Sequence, residues 1–406
     1  MKTLVRGGAK RRSRGSASAA AVGVDVLPAP TPAGGRAGEG WEPRAILLLV
    51  LLMFSFGVVE VYSASTFMAQ SEGLAPDFYA VRQLIGFLPS AFCCLLLARL
   101  DYRRLQKAAW PLLLLTVFLL LLVVMPGTEG IAPRVNGARR WIKIGVTFQP
   151  SELAKLSLII WTAALAVKKQ ERLHSLRKGL LPFLVVWAMV LLPVVLQPNF
   201  SAVLLIALLA ALVLFAGGAR IGHFILLGVV AIPLIWNQVE GASYRLKRVI
   251  AFLDPSADPA AFYQSHQSLI AIGSGGITGV GFGGSQQKFG FLPEPHNDFL
   301  FSMIGEEWGF IGVLFTVLLF AAFAVIGYRI ARRAPDLFGY LLGIGMTNLV
   351  VVSALLHMSI DLGLLPTTGV VLPFMSYGRS GLLVCFCAVG VILSVARASS
   401  PPEARR

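Results

Sequence analysis

The chain has 406 residues, of which 56% are hydrophobic and 14% charged, and its mean hydropathy is +0.75. A soluble domain needs more surface charge than this, so the composition excludes an ordinary globular enzyme and indicates a membrane protein with several spans. The net charge of +15 therefore points to membrane lipids and not to nucleic acid, because basic residues of such proteins collect in cytoplasmic loops beside anionic headgroups.

The N-terminal segment, residues 1–43, is rich in Gly, Ala, Pro, Ser and Arg and shows no apolar periodicity. This composition predicts a disordered, basic cytoplasmic tail. A cleaved signal peptide is not expected, because the first apolar run starts only after Arg44. Residues 398–406 are a short cytoplasmic C-terminal tail, and residues 44–397 between the two tails form one membrane domain.

Ten apolar runs within this domain are long enough to cross a bilayer. They cover residues 44–63, 78–98, 109–126, 152–167, 180–197, 199–216, 221–237, 306–328, 337–360 and 370–396. We therefore predict an all-α polytopic membrane protein with ten transmembrane helices. Lys and Arg are concentrated in alternate loops, on the side of the basic tail, so both termini are expected in the cytoplasm. The polar stretch 238–299, between helices seven and eight, is then a large extracytoplasmic loop.

The loop between the third and fourth runs breaks this charge rule. Arg134, Arg139, Arg140 and Lys143 lie on the predicted outer side, where the insertion rule disfavours basic residues. An anionic ligand at this face would account for them. Phospholipid headgroups, with Trp141 in the interfacial aromatic belt, are the alternative.

The fourth run begins with groups that suit a phosphate. Ser151 is a reasonable N-cap, Glu152 lies in the first turn, and Lys155 follows three residues later on the same face. The positive end of the helix, Lys155 and the preceding arginines would together attract a phosphate or pyrophosphate. A self-contained Glu152–Lys155 ion pair is the simpler alternative.

The long loop 238–299 carries most of the remaining polar residues. It opens with alternating apolar and cationic residues at 244–253, as in a helix lying on a lipid surface. It continues through Gln264 and Gln267 into a glycine-rich segment, residues 273–285, which we interpret as flexible. A match to GxGxxG in that segment is discarded, because no strand–turn–helix unit surrounds it. The loop closes with Lys288, Glu294, His296 and Asp298.

Asp298 has two readings. A carboxylate at the start of an apolar helix is often an N-cap, and capping lowers its pKa and weakens it as a base. Crowding with Glu294, His296, Glu306 and Glu307 favours a catalytic role. The residue types leave both readings open.

Prolines and glycines interrupt the start of the last run, between residues 366 and 381. Broken helix at membrane depth is tolerated only where protein or a watery cavity covers it. Arg379 would then be an inward-facing intramembrane cation, which indicates a functional site or an ion pair with Asp361.

Five stretches, in register over residues 44–397, resemble the SEDS family (shape, elongation, division and sporulation), which contains the FtsW and RodA peptidoglycan glycosyltransferases. They are residues 137–142 (Gly-Ala-Arg-Arg-Trp-Ile), 148–156 (Phe-Gln-Pro-Ser-Glu-Leu-Ala-Lys-Leu), 267–276, 292–299 with its Leu-Pro-Glu, His296 and Asp298-Phe299, and 376–378 (Ser-Tyr-Gly). The long basic tail and residues 61–65 and 364–367 are closer to FtsW, whereas residues 372–374 are closer to RodA.

The resemblance implies a bacterial inner-membrane enzyme that polymerises lipid II into glycan strands at the outer face, with FtsW-like cell division favoured over RodA-like elongation. It implies a class B penicillin-binding transpeptidase and other divisome proteins as partners. Asp298 is the expected general base of an inverting displacement, and a Mg²⁺ or Mn²⁺ ion is left open. A lipid II transporter and a non-catalytic scaffold are the rival functions. The residues assigned to lipid II and the nascent strand are Arg139, Arg140, Trp141, Glu152, Lys155, Gln264, Gln267, Lys288, Glu294, His296, Ser376 and Arg379.

Three positions depart from the family pattern. Asn199 stands where the family usually has Asp, so a role for a carboxylate there is in doubt. Arg379 replaces a glycine and adds charge to the site. Asn297 stands where Thr is common, which matters little.

Overall fold

A computed structural model of the chain describes residues 40–134, 138–240 and 243–399. The predicted N-terminal tail lies outside the described residues up to position 39, and so does the predicted C-terminal tail from position 400. Residues 135–137 are outside them as well, and Gly137 is the first residue of the first family-like stretch.

The described residues are mostly helical, and a short antiparallel ribbon follows the third helix. The helices are α1 (Glu42–Ser71), α2 (Phe78–Arg99), α3 (Arg103–Val124), α4 (Pro150–Lys168), α5 (Leu181–Leu196), α6 (Phe200–Ala216), α7 (Ile221–Glu240), α8 (Ser243–Leu253), α9 (Pro259–Ser274), α10 (Leu300–Arg332), α11 (Leu337–Asp361) and α12 (Arg379–Ala398). In the ribbon, β1 (Ile142–Ile144) pairs with β2 (Val146–Phe148).

Eight helices of the described chain are long and apolar enough to cross a membrane, judged by length and composition. They are α1 to α4, α5 together with the π-helical turn at residues 176–180, and α10 to α12. The prediction of a helical polytopic membrane protein is therefore confirmed. Two of the ten predicted spans, α6 and the apolar part of α7 (Ile221–Pro233), are shorter than a full crossing.

The centre of the bundle is formed by α4, α11 and α12. In their apolar windows 78%, 72% and 72% of the residues are buried, whereas the outer helices bury 28 to 39%. Small residues allow this close packing: a side chain at Gly390 of α12 would collide with the backbone of Cys94 in α2. Such contacts between small residues take the place of a hydrophobic driving force inside lipid. The three central helices thus fix the positions of the loops at their ends.

A break in α10 anchors the glycine-rich segment. Gly309 has φ 63° and ψ −157°, a backbone conformation available almost only to glycine. At the break, the Glu306 and Glu307 carbonyls lose their helical donors and accept from the N–H groups of Val280 (3.0 Å) and Gly281 (3.1 Å). The segment that the sequence led us to interpret as flexible is therefore hydrogen-bonded along α10.

Two acidic side chains at this break are buried. The Glu306 carboxylate accepts from the Ser285 hydroxyl (2.5 Å) and the Gln286 N–H (2.9 Å). The Glu307 carboxylate accepts from the Ser63 hydroxyl of α1 (2.5 Å) and from the Gly283 N–H (3.0 Å). These bonds tie α1, α10 and the glycine-rich segment into one unit.

The loop 238–299 contains two helices, α8 and α9. The amphipathic stretch predicted at residues 244–253 is helical in α8. Asp258 caps α9, where its carboxylate accepts from the Ala261 N–H at 3.0 Å. Because α9 packs on α10 and α11, the loop has a regular scaffold that leads the chain to Asp298.

Candidate active site

Three helices, α4, α10 and α12, begin at one end of the bundle. The Gln149 N–H, just before α4, donates to the Ser380 hydroxyl in the first turn of α12 at 3.1 Å. The Tyr377 N–H, before α12, donates to the His296 carbonyl, before α10, at 3.0 Å. The start of a helix carries partial positive charge and unpaired N–H groups. This end of the bundle therefore suits an anionic ligand.

Asp298 stands at this end of the bundle, and its carboxylate does not cap α10. The N-cap position is Phe299, and α10 has no side-chain capping bond. The Asp298 N–H donates to the Glu294 carbonyl at 3.1 Å, so the backbone turns before the helix starts. The half-buried carboxylate interacts with its described neighbours through charge alone, without a hydrogen bond. The capping explanation for this residue is thus excluded.

The surroundings of Asp298 raise its proton affinity. Burial and the nearby Glu294 carboxylate raise the pKa of Asp298 to about 7, against the opposing effect of the Arg248 and Arg140 guanidiniums. A carboxylate with a pKa near neutrality can both take and return a proton, which is what general base catalysis requires.

Among the described residues, Arg140 and Arg248 are two cations that act on Asp298. Arg140 donates to the carbonyls of Gln197 (3.3 Å) and Pro198 (2.8 Å), in the turn between α5 and α6. Arg248, on α8, donates to the Thr367 carbonyl at 3.2 Å. The sequence predicted Arg140 as a site residue but not Arg248. The cationic stretch at the start of the long loop, which contains Arg248, was the feature that could have identified it.

Three other cations assigned from the sequence lie beside carboxylates. Arg139 pairs with Glu129. Lys155 pairs with Glu152 at 2.7 Å and is 7% exposed, which is the self-contained pair anticipated as an alternative. Lys288 lies at the α10 break, with its ammonium 3.7 Å from Glu307 and donating to the Gly283 carbonyl at 2.5 Å.

His296 is a buried neutral side chain. Its ring lies between Tyr79 of α2 (4.5 Å between centroids) and Tyr377 (5.5 Å). Burial lowers the pKa of His296 to about 4, so the ring is uncharged at neutral pH and its 3.9 Å approach to Glu294 is not an ion pair. Burial and the neighbouring Glu72 carboxylate raise the pKa of Glu294. His296 and Glu294 therefore shape the loop that carries Asp298.

The last loop before α12 is tied to α2 by Gln83. The Gln83 amide donates to the Ser376 carbonyl (2.9 Å), and its oxygen accepts from the Gly378 N–H (3.3 Å). The Ser376 hydroxyl accepts from the Leu372 N–H at 3.0 Å. Ser376 therefore shapes the loop as well.

Arg379 is half-buried at the first position of α12, with its alkyl chain over Gly86. The ion pair with Asp361 that the sequence left open is absent from the described residues. Asp361 lies 3.5 Å from His357 and accepts from the Ser302 N–H at 3.0 Å. Arg379 therefore adds positive charge at the start of α12, where an anionic ligand could contact it.

The remaining predicted residues are half-buried. Gln264 and Gln267 lie on α9 one turn apart, and Trp141 precedes β1. No contact of these side chains with Asp298 is found among the described residues.

Buried polar atoms without a protein partner lie on both loops beside Asp298. Among the described residues, His296 Nδ1, Asn297 Oδ1 and Thr368 Oγ1 are buried and have no hydrogen bond. Thr368 precedes Gly369, which lies against the Asp298 carboxylate. Buried polar groups are normally paired, so these three atoms are candidates to contact a bound substrate. Spacing alone could not have identified Thr368, because its position depends on how two distant loops fold together.

A bound divalent cation would lack a complete set of protein ligands. The described part of the chain holds no group of three or more His, Cys, Asp or Glu side chains arranged to bind a metal ion. Hard divalent cations prefer six or more oxygen ligands, so the substrate would have to supply most of them.

The fold and the site together define a polytopic membrane protein with a candidate acid–base group and a candidate anion site at one end of its bundle. The family model described as cell cycle protein, of the FtsW, RodA and SpoVE type, matches residues 43–401. The chain belongs to this family.

Similar proteins and solved structures support the same assignment. The chain is 41% identical over 352 residues to a probable peptidoglycan glycosyltransferase FtsW of Trichlorobacter lovleyi, which covers 86% of this chain and 92% of that protein. A solved structure reported for the coordination of polymerization and crosslinking by a peptidoglycan synthase complex superposes with a TM-score of 0.72 at 27% identity, over 88% of this chain and 98% of the other. The rod shape determining protein RodA of Thermus thermophilus gives 0.63 at 26% identity, over 88% and 96%.

Proposed function

We propose that this protein polymerises lipid II, joining its disaccharide units into glycan strands, with Asp298 as the general base. The chain is a peptidoglycan glycosyltransferase of the FtsW type, as its relatives are named. The proposal concerns the substrate and the chemistry. The observation that carries it is the Asp298 carboxylate, which has no hydrogen bond to its described neighbours and has a pKa of about 7.

In the proposed reaction, a hydroxyl of one sugar attacks the anomeric carbon of another sugar that is linked to a polyprenyl pyrophosphate. Asp298 takes the hydroxyl proton as the new C–O bond forms. The bond from the anomeric carbon to the pyrophosphate oxygen breaks on the opposite side, so the configuration is inverted. The leaving pyrophosphate carries the negative charge away, and no other reactant is consumed. General base catalysis of this kind contributes roughly 10²- to 10⁴-fold.

The leaving pyrophosphate requires positive charge beside Asp298. Arg140 and Arg248 act on the Asp298 carboxylate, and their guanidinium groups are suited to phosphate oxygens. Arg379 and the starts of α4 and α12 add to the positive potential. Arg139 and Lys155 then contribute through their carboxylate partners, and Gln264, Gln267 and Trp141 border the path of the glycan strand. Lys288, which the sequence also assigned to the substrate, instead supports the α10 break.

We also propose ten membrane crossings with both termini in the cytoplasm. The alternation of basic loops supports this orientation, with α6 and α7 as an antiparallel pair of short spans, and Asp298 then faces outward. The basic tails, residues 1–43 and 398–406, would lie in the cytoplasm. The related peptidoglycan synthase complex supports a class B transpeptidase as partner, and the FtsW-type relatives support a place among other division proteins.

Polymerisation of labelled lipid II by purified protein with its transpeptidase partner, in detergent, tests this function. The Asp298→Asn variant should lose polymer formation by at least about 100-fold while its thermal unfolding and lipid II binding remain intact. Asp77→Asn makes the same substitution at an exposed carboxylate before α2 that forms no capping bond, and as the matched control it should retain most activity. Near-normal polymer from Asp298→Asn would overturn the assignment of the base. Failure of the wild type to form polymer, with transport of lipid II across vesicles, would instead favour a transporter.

A further inference from the structure

An apolar groove lies between α3, α4 and α5, at the end of α4 remote from Asp298. Its volume is about 410 Å³, and Trp110, Trp161, Leu165 and Val185 are among its lining residues. Trp161 forms the buried floor at 2% exposure, and Trp110 (48%) and Val185 (62%) form open walls. The two indole rings meet edge to face at 5.4 Å, so the walls hold the groove open. Its volume is within the range of small-ligand sites in proteins.

Basic side chains follow the groove along the chain, at the end of α4. A second cavity of similar volume is lined by residues 167–172, with Lys168, Lys169 and Arg172 against the single carboxylate of Glu171. Lys168 is three residues beyond Leu165, which corresponds to about 4.5 Å along the helix. Lys169 donates to the Lys178 carbonyl at 3.2 Å. None of these three basic side chains takes part in an ion pair found among the described residues. With three cations and one carboxylate, this rim, residues 167–172, has a positive net charge.

We propose that this groove and its rim bind an anionic phospholipid. One acyl chain lies along the Trp110–Val185 groove, and the phosphate group rests on Lys168, Lys169 and Arg172. Basic pockets next to apolar grooves between membrane helices bind anionic headgroups in this way. The charge of the rim selects an anionic lipid over a zwitterionic one, and the apolar groove selects a lipid over free phosphate.

Lipid retention by the purified protein tests this site. Native mass spectrometry would be recorded after incubation with equal amounts of phosphatidylglycerol and phosphatidylcholine of identical chains, and separately with glycerol phosphate. We expect wild type to retain phosphatidylglycerol in preference and not to retain glycerol phosphate. Each basic residue contributes roughly a factor of five. The Lys168→Gln/Lys169→Gln/Arg172→Gln variant should therefore lose the preference by at least about ten-fold.

A second pair of variants tests the groove itself. Val185→Trp should fill the groove and reduce retention of phosphatidylglycerol, whereas Val229→Trp, on α7 with nearly the same exposure (61% against 62%), should leave retention unchanged. Equal retention of the two lipids by wild type would overturn the proposal. An unchanged preference in the triple variant, an unaffected Val185→Trp, or retention of glycerol phosphate alone would overturn it as well.

Discussion

Burial and two kinds of charged neighbour act on the proton affinity of Asp298. Burial raises its pKa most, the Glu294 carboxylate raises it further, and the Arg248 and Arg140 guanidiniums lower it. The balance leaves the pKa of Asp298 at about 7. Because a base must be ionised to take a proton, the proposed role of Asp298 predicts that this balance sets the pH at which polymerisation begins.

The polymerisation rate should therefore rise with pH through a midpoint near 7, since Asp298 is protonated below that value. Arg248→Gln removes a charge that favours the carboxylate, so its midpoint should move to higher pH. Glu294→Gln removes a charge that disfavours the carboxylate, and its midpoint should move to lower pH. Single-turnover rates from pH 5 to 9 measure both shifts. If the wild type and the two variants share the same midpoint, the observed ionisation belongs to another group.

At the scale of single elements, the break in α10 depends on one glycine. Gly309 has a backbone conformation that strains any other residue, and a side chain there would collide with the backbone of Ile277 and Gly279. Gly309→Ala should therefore lower the stability by about 3 kcal/mol or more. The thermal midpoint in detergent measures this, and polymer formation should fall with it.

Gly228 of α7 provides the matched control. A side chain at Gly228 would meet open space, and Gly→Ala within a helix is stabilising by about 0.5–1 kcal/mol. Gly228→Ala should therefore keep or raise the thermal midpoint. Equal effects of the two substitutions would contradict the role given to the break.

The buried Lys288–Glu307 pair offers a second test of the same element. Lys288 is 8% exposed and Glu307 is 1% exposed. Removing one partner leaves a buried charge, so Lys288→Met or Glu307→Gln alone should each cost about 3–5 kcal/mol. The double variant should be less destabilised than the sum of the two. Additive shifts in the thermal midpoint would show that the charges are independent.

The sequence predicted the elements whose signal is local. Long apolar runs predicted the membrane helices, and interleaved charge predicted α8. The predicted start of α12 lies too early, because residues 370–378 are apolar but contain Pro373, which interrupts a helix, and Gly378 directly before α12. The ribbon of β1 and β2 was missed, because its strands have three residues each.

In the site, the motifs led to Asp298 and Arg140, whereas Arg248 and Thr368 depend on loop contacts across more than a hundred residues. The path of the glycine-rich segment along α10 depends on contacts too: its hydrogen bonds form only once parts of the chain more than twenty residues apart have packed. Contacts of this kind leave no periodic signal in the sequence.

At the scale of the whole molecule, the orientation in the membrane can be tested with single cysteines. The four native cysteines would first be replaced by alanine, and a cysteine placed at Glu72, Glu171, Arg220 or Glu240, which are exposed. An impermeant maleimide added to intact cells whose outer membrane has been opened should label the cysteines at positions 72 and 240 only. Lysis should allow labelling at 171 and 220.

The cysteine at position 220 decides whether α6 and α7 cross. If the two short helices enter and leave by the same face, this cysteine would be labelled in intact cells. The cysteine at position 171 serves as the internal control. Labelling there before lysis would reverse the orientation of the whole protein.

The length of α1 links the enzyme to the bilayer around it. Its 30 residues span about 45 Å, against roughly 30 Å for the hydrocarbon layer, so the helix must tilt or protrude. Ser63 of α1 donates to Glu307 at the α10 break, and any change in tilt therefore moves the element that carries Asp298. Lipid chains of different length alter the tilt through hydrophobic mismatch, and we expect them to shift the position of the proposed base.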